Sequence, residues 1–227
     1  MTRPTLYRLL AVLALLGALL ALGLLGIAVA TGVSQEAFEM SMPAERFAEM
    51  ARSAGFPLRL GFTIDFFFIA TFTSFFVFLA VAVRDELDST VGRVALGAIL
   101  LTGLLDVAEN THILAMLAAV ESGGQPSQGE IGFQATASAV KFFASYLALF
   151  LFSFGLNRAD RWETLLRVSL RYLQLPIGVL ALTATGPLVE PVLIVRAGFY
   201  IVGFLLAALT FRERLIRDRL ISWTEPG

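Results

Sequence analysis

Val94-Ala95-Leu96-Gly97-Ala98-Ile99-Leu100-Leu101-Thr102-Gly103-Leu104-Leu105-Asp106-Val107-Ala108-Glu109-Asn110-Thr111-His112-Ile113-Leu114-Ala115-Met116 is the stretch on which the fold turns. It is longer than the roughly 18 apolar residues that signal a membrane-spanning helix. Its polar residues gather in one place, near where the hydrocarbon centre of a bilayer would fall. Ionisable groups at that depth cost about 2.5–3.5 kcal/mol each on insertion scales and therefore mark a site or a packing contact. Several further runs of this length flank it. The chain is 57% hydrophobic, with 15% charged residues and a mean hydropathy of +0.79. An all-α, polytopic membrane helix bundle follows, with a single membrane domain over residues 1–227.

Six spans are expected, at about 9–30, 60–83, 93–120, 131–156, 168–185 and 192–211. The first is longer than the 7–15 apolar residues of a signal peptide core, so it reads as a retained helix despite the Ala28-Val29-Ala30 step. Between spans one and two, Ser41-Met42-Pro43 opens an amphipathic helix over about 42–54, with Ser41 as the expected N-cap. Phe47, Met50, Ala51 and Ala54 share its apolar face, and Gly55 and Pro57 end it. This helix either rests on the bundle or interface or serves as a lid over a cavity. Residues 121–130 are a Gly-rich loop. In the fifth span Pro176 is expected to introduce a kink.

Arginine placement predicts orientation. Arg3 and Arg8, Arg84 and Arg93, Arg158, Arg161, Arg167 and Arg171, and the 212–227 tail with Arg212, Arg214, Arg217 and Arg219 fall on one side. Arg46, Arg52 and Arg59 fall on the other. Both termini are expected to be cytoplasmic, with the amphipathic helix and the Gly-rich loop outside.

The net charge of −1 gives no electrostatic case for nucleic acid. The absence of cysteine removes disulfides, thiolate metal sites and cysteine nucleophiles. No phosphate loop or dinucleotide fingerprint is present, and no cofactor is expected. The partners expected are the lipid bilayer and a small ligand or cation; the oligomeric state stays open.

On a helix, Asp106, Glu109 and Asn110 stand at i, i+3 and i+4 and share a face. His112 lies about 60° around from Glu109, on the flank. The only lysine, Lys141, lies inside the fourth span at about the depth of Glu109, roughly 15 Å below the same boundary. Asp65 lies about 8 Å below it on the second span. Antiparallel neighbours joined by short loops pack side by side. Asp65, Asp106, Glu109, Asn110 and Lys141 therefore form the candidate ligand- or proton-binding cluster. Three carboxylates face one ammonium, so at least one carboxyl is expected to be protonated or to hold a cation.

Three readings stay open: a buried ion pair that fixes helix register, a ligand, proton or ion site, and a catalytic carboxyl acting on lipid. Glu109-Asn110-Thr111-His112 is a Glu-x-x-His step, but di-iron bundles need two such steps and this chain has one histidine. No metal site is assigned on that ground, although oxygens of Asp65, Asp106, Glu109 and Asn110 suit a single hard cation. Arg171 and Arg196 are expected to snorkel from span ends, with Glu190 as a partner for Arg196. The phenylalanines of span two are expected to serve packing and lipid contact.

Asp65-Phe66-Phe67-Phe68-Ile69, then Asp106-x-x-Glu109-Asn110, then a lysine in the next span resembles a family of uncharacterised bacterial integral membrane proteins. The resemblance covers about Gly61 to Tyr146. It implies a bacterial inner membrane location and no particular activity.

Overall fold

The computed structural model describes residues 1–157, 160–184 and 186–224, with no side chain described at 187, 190 or 219–224. Arg158 and the side chains of Glu190 and Arg219 lie outside the described residues. Helix α1 (Arg3–Thr31) is capped by Thr2, whose hydroxyl accepts from the Thr5 backbone. Helix α2 (Ala44–Ala82) is two helices in one, because Gly55 breaks it with φ 48° and ψ −137°. That conformation is open to glycine and strained for other residues. Pro57 is tolerated because it falls in the first turn after the break. Helix α3 (Ser89–Glu121) starts at Asp88, whose Oδ1 accepts from the backbone of Thr90 and Val91. Helix α4 (Gln128–Phe152) starts with a Ser127/Glu130 capping box.

The fifth span is compound. It consists of α5 (Arg161–Val168), a π-helical stretch (Ser169–Gln174) and α6 (Leu175–Thr183). Pro176 follows the irregular stretch and stands in the first turn of α6. The wide turns lie just upstream of the ring that cannot donate, so the break falls before the proline. Helix α7 (Val189–Thr224) runs straight from the sixth span into the tail. Six helices are thus long and apolar enough to cross a bilayer, and no strand occurs among the described residues. This is the makeup of a multi-pass membrane protein.

The helices pack as a ring. α1 lies against α2 and α7, α3 lies between α2 and α4, and α4 meets α6, which meets α7. Small residues let the seams close. A methyl added at Gly17 of α1 would lie 3.0 Å from the Phe204 ring of α7. At Gly103 of α3 it would fall on the Thr73 hydroxyl of α2, and at Gly178 of α6 on the Tyr146 ring of α4. The start of α1 and the second half of α7 lie at one end of the ring. There Tyr7 packs on Phe211 with ring centroids 6.0 Å apart, and Arg3 reaches Asp85 of the α2–α3 turn.

The amphipathic helix rests on the bundle. Its Phe47, Ala48, Ala51 and Ala54 bury against Ile113, Met116, Leu117 and Val120 of α3 and Ile131 of α4. Ser41 is not its cap; the residue before the first turn is Pro43, which has no side chain able to cap. Gln128 does the work from α4: its Oε1 accepts from Ala44 N at 3.2 Å and its Nε2 donates to the Met42 carbonyl at 3.0 Å.

Candidate functional site

The centre of the ring is hollow. A cavity of about 590 Å³ runs from the loop Gly32–Met40, at the end away from the start of α1, down to Leu166 and Phe211. Its lower walls are apolar, lined by Phe68, Phe72, Phe75, Phe76, Phe204 and Phe211. Its upper part is polar. The volume lies within the 300–1,000 Å³ usual for small-molecule sites, and apolar walls with a few placed polar groups are their usual chemistry. The span-two phenylalanines expected to serve packing and lipid therefore also face an internal space.

Lys141 organises the polar part. Its Nζ donates to Glu109 Oε1 at 2.8 Å and Asp106 Oδ1 at 2.9 Å, and lies 3.5 Å from Glu39 Oε1. The Lys141 side chain is 4% exposed and that of Glu109 is 0%. Glu109 takes a second bond, from the Ser138 hydroxyl at 2.8 Å. Asp65 stands beside this group. Its Oδ2 accepts from Asn110 Nδ2 at 2.6 Å, a bond from α3 to α2. All five residues picked out in the sequence thus meet in one cluster. They divide by position: Asp65, Asp106 and Lys141 line the cavity, while Glu109 and Asn110 are not among its lining residues.

His112 joins at the flank, as the helical angle predicts. Its Nδ1 lies 2.9 Å from Gln134 Oε1, and Gln134 Nε2 lies 3.5 Å from the Ser138 hydroxyl. The His112–Gln134 contact ties α3 to α4 above Glu109. The point where Asp106, Glu109 and Glu39 converge is occupied by the Lys141 ammonium, and Asp65 stands outside that contact. Among the described residues no group of three or more His, Asp or Glu is arranged to hold a metal ion.

Three participants were not foreseen. Glu36, in the 3₁₀ turn Gln35–Phe38, pairs with Arg196 of α7 at 2.7 Å. Arg196 is 3% exposed and its guanidinium lies 4.0 Å from the Phe142 ring centroid, so it is buried and does not snorkel. Glu39, just past the same turn, reaches Lys141. Phe142 also takes Lys141 Nζ at 4.5 Å from its centroid, so one ring stands between the two buried cations. The turn is held from below by Phe38, which packs edge-on against Phe47 with centroids 5.3 Å apart. Burial pushes the Glu36 carboxyl above the ordinary glutamate value of 4.5, outweighing the pull of Arg196. Burial also acts on Glu39, but the charges of Lys141 and Arg196 outweigh it and hold that carboxyl below 4.5. The sequence signal for this part is the pair of glutamates in Gln35-Glu36-Ala37-Phe38-Glu39, at the same end of the spans as Arg196.

Arg171 is half-buried near the other end of the ring. It donates to the Ser153 carbonyl at 2.9 Å and its guanidinium lies 4.1 Å from the Phe154 ring centroid. At that end, Arg214 of α7 is 0% exposed and pairs with Glu163 of α5 through two bonds, at 2.8 and 2.9 Å. This forked pair, with its geometry satisfied on both oxygens, anchors the compound fifth span to α7.

Comparison of the chain with models of known protein families, with curated proteins and with solved structures finds no match. The reading of the site therefore rests on its geometry.

Proposed function

We propose that the protein is a bacterial inner membrane protein that takes an amphipathic ligand into its bundle. The polar end meets Asp65, Asp106 and Lys141, and the apolar part lies along the phenylalanines below. One observation carries this reading: the cavity reaches those three residues and then continues along an apolar wall as far as Phe211. A cluster that served packing alone would be enclosed and fully paired. Glu109, Asn110 and Ser138 fit that description and stitch α2, α3 and α4 together. Asp65 and Asp106 do not, because each presents a carboxylate to the hollow. A proton or a cation is the alternative occupant that would offset the same surplus of negative charge. By the arginine bias, both termini and the Arg214–Glu163 pair face the cytoplasm, and the polar end of the cavity lies in the outer half of the membrane.

The test uses the full-length protein in a mild detergent. Native mass spectrometry is expected to show one bound amphiphile per chain. Gly203 lines the cavity, and a methyl added there would meet nothing within 4 Å. Gly203→Phe is expected to abolish the adduct while leaving the helical content of the protein unchanged. A wild-type protein that carries no amphiphile, and takes up none when dodecanol is added, would overturn the reading.

A further inference from the structure

The order of polar groups along the cavity says what kind of head the ligand carries. Starting from the phenylalanines and moving towards the Gly32–Met40 loop, the first charged wall is Asp65 with Asp106. Asp65 uses Oδ2 for Asn110 and Asp106 uses Oδ1 for Lys141; the other oxygen of each takes no hydrogen bond among the described residues. Both residues line the cavity. Around Lys141 stand Glu109, Asp106 and Glu39, and Asp65 has only an amide for a partner. Arg196 is matched by Glu36. The wall is therefore short of positive charge at the level where the apolar part ends.

One turn above Asp65, on the same face of α2, is Gly61. The side chain of Gln35 lies over it: a methyl at Gly61 would be 3.5 Å from Gln35 Cγ. Gln35 lines the cavity, and its amide Nε2 is buried without a hydrogen-bond partner. A buried donor left unpaired costs about 1–3 kcal/mol, and so marks a place for an acceptor. The carboxylates and the amide are independent observations, and Gly61, which Gln35 covers, stands about one helical turn from Asp65 along α2.

Resting on the amphipathic-ligand reading above, we infer that the ligand is a long-chain amphiphile ordered as hydrocarbon chain, then ammonium, then an oxygen acceptor. The ammonium sits between the free oxygens of Asp65 and Asp106. The acceptor oxygen meets Gln35 Nε2. The chain fills the space beside Phe68, Phe72, Phe75 and Phe204. A head with the reverse order, anion next to the chain and ammonium at its tip, would set its anion against the two aspartates.

Binding of dodecyl amphiphiles to the full-length protein in lipid nanodiscs, read by calorimetry, tests this. Dodecylammonium is expected to bind at least tenfold more tightly than dodecanol, and dodecyl sulfate more weakly than either. Asp65→Asn and Asp106→Asn are each expected to cut the ratio of dodecylammonium to dodecanol affinity about tenfold. A dodecyl sulfobetaine, with ammonium next to the chain and sulfonate at the tip, is expected to bind more tightly than dodecylphosphocholine, which has the reverse order. Gln35→Leu is expected to reduce binding of the sulfobetaine and leave that of dodecylammonium unchanged. Equal binding of dodecylammonium and dodecyl sulfate would overturn the inference, as would a preference for dodecylphosphocholine or an ammonium preference that survives both aspartate variants. Dodecanol reads the cavity itself: if it binds to the wild type and not to Gly203→Phe while the charge preferences fail, the head assignment falls and the amphipathic-ligand reading stands.

Discussion

Lys141 is the residue whose removal says most about the cluster. Lys141→Met leaves Asp106 and Glu109 without their counter-charge and Glu39 with Arg196 alone. Breaking a buried ionic network from one side costs about 3–5 kcal/mol, to be read as a lower unfolding free energy in detergent. Glu109→Gln keeps two carboxylates on the ammonium and keeps an acceptor for Ser138, so about 1–3 kcal/mol is expected. The two glutamates of the 3₁₀ turn titrate in opposite senses. Glu39 is held below 4.5, so its stabilisation is present above that value and is lost as pH falls through the lowered one. Glu36 is raised above 4.5, so its contribution is present below that value and is lost as pH rises through the raised one. Glu39→Gln is expected to flatten the acid side of a stability–pH curve, and Glu36→Gln the side above 4.5. Asp65, Asp106, Glu109, Asn110 and Lys141 were legible in the sequence because a fixed rise per residue converts spacing into depth and face. Glu36, Glu39 and Arg196 were not. Loop residues carry no depth in the sequence, and an arginine near a span end reads as exposed until a partner is seen to descend onto it.

Among the elements, the amphipathic helix and the fifth span show where periodicity suffices and where it fails. The apolar face Phe47, Ala51, Ala54 was plain from the spacing, but whether it rested on the bundle or closed a cavity depends on what lies beneath it. What lies beneath is the upper ends of α3 and α4, and the segment over the cavity is the short 3₁₀ turn before it. Gly55 sets the angle between this helix and the span that follows. Gly55→Ala is expected to cost about 1–3 kcal/mol, since no side-chain-bearing residue adopts φ 48°, ψ −137° without strain. Chemical denaturation of the variant in detergent checks it. The irregularity of the fifth span was announced by Pro176, but the sequence offered no way to see that it takes the form of six π-helical residues upstream. Those wide turns carry Leu170 and Gln174 to the cavity wall.

At the scale of the whole molecule, the ring has six helices long and apolar enough to span, with the start of α1 and the second half of α7 at one end. The chain contains no cysteine, so a single introduced one reports without background. Thr2→Cys and Gly123→Cys are expected to react with an impermeant maleimide from opposite sides of the membrane. Labelling of both from the same side would break the six-span arrangement. The number of spans was legible because length and hydropathy decide it. The closing of the ring was not, because a seam such as Gly17 on Phe204 joins residues far apart in the sequence through shape alone. The hollow interior has a mechanical consequence. Pressure favours whichever state eliminates internal void volume. A cavity of about 590 Å³ therefore adds to the volume lost when the bundle unfolds. The empty protein should yield to hydrostatic pressure well before the loaded one, so that occupancy of the hollow is written in the volume change of unfolding as well as in any binding curve.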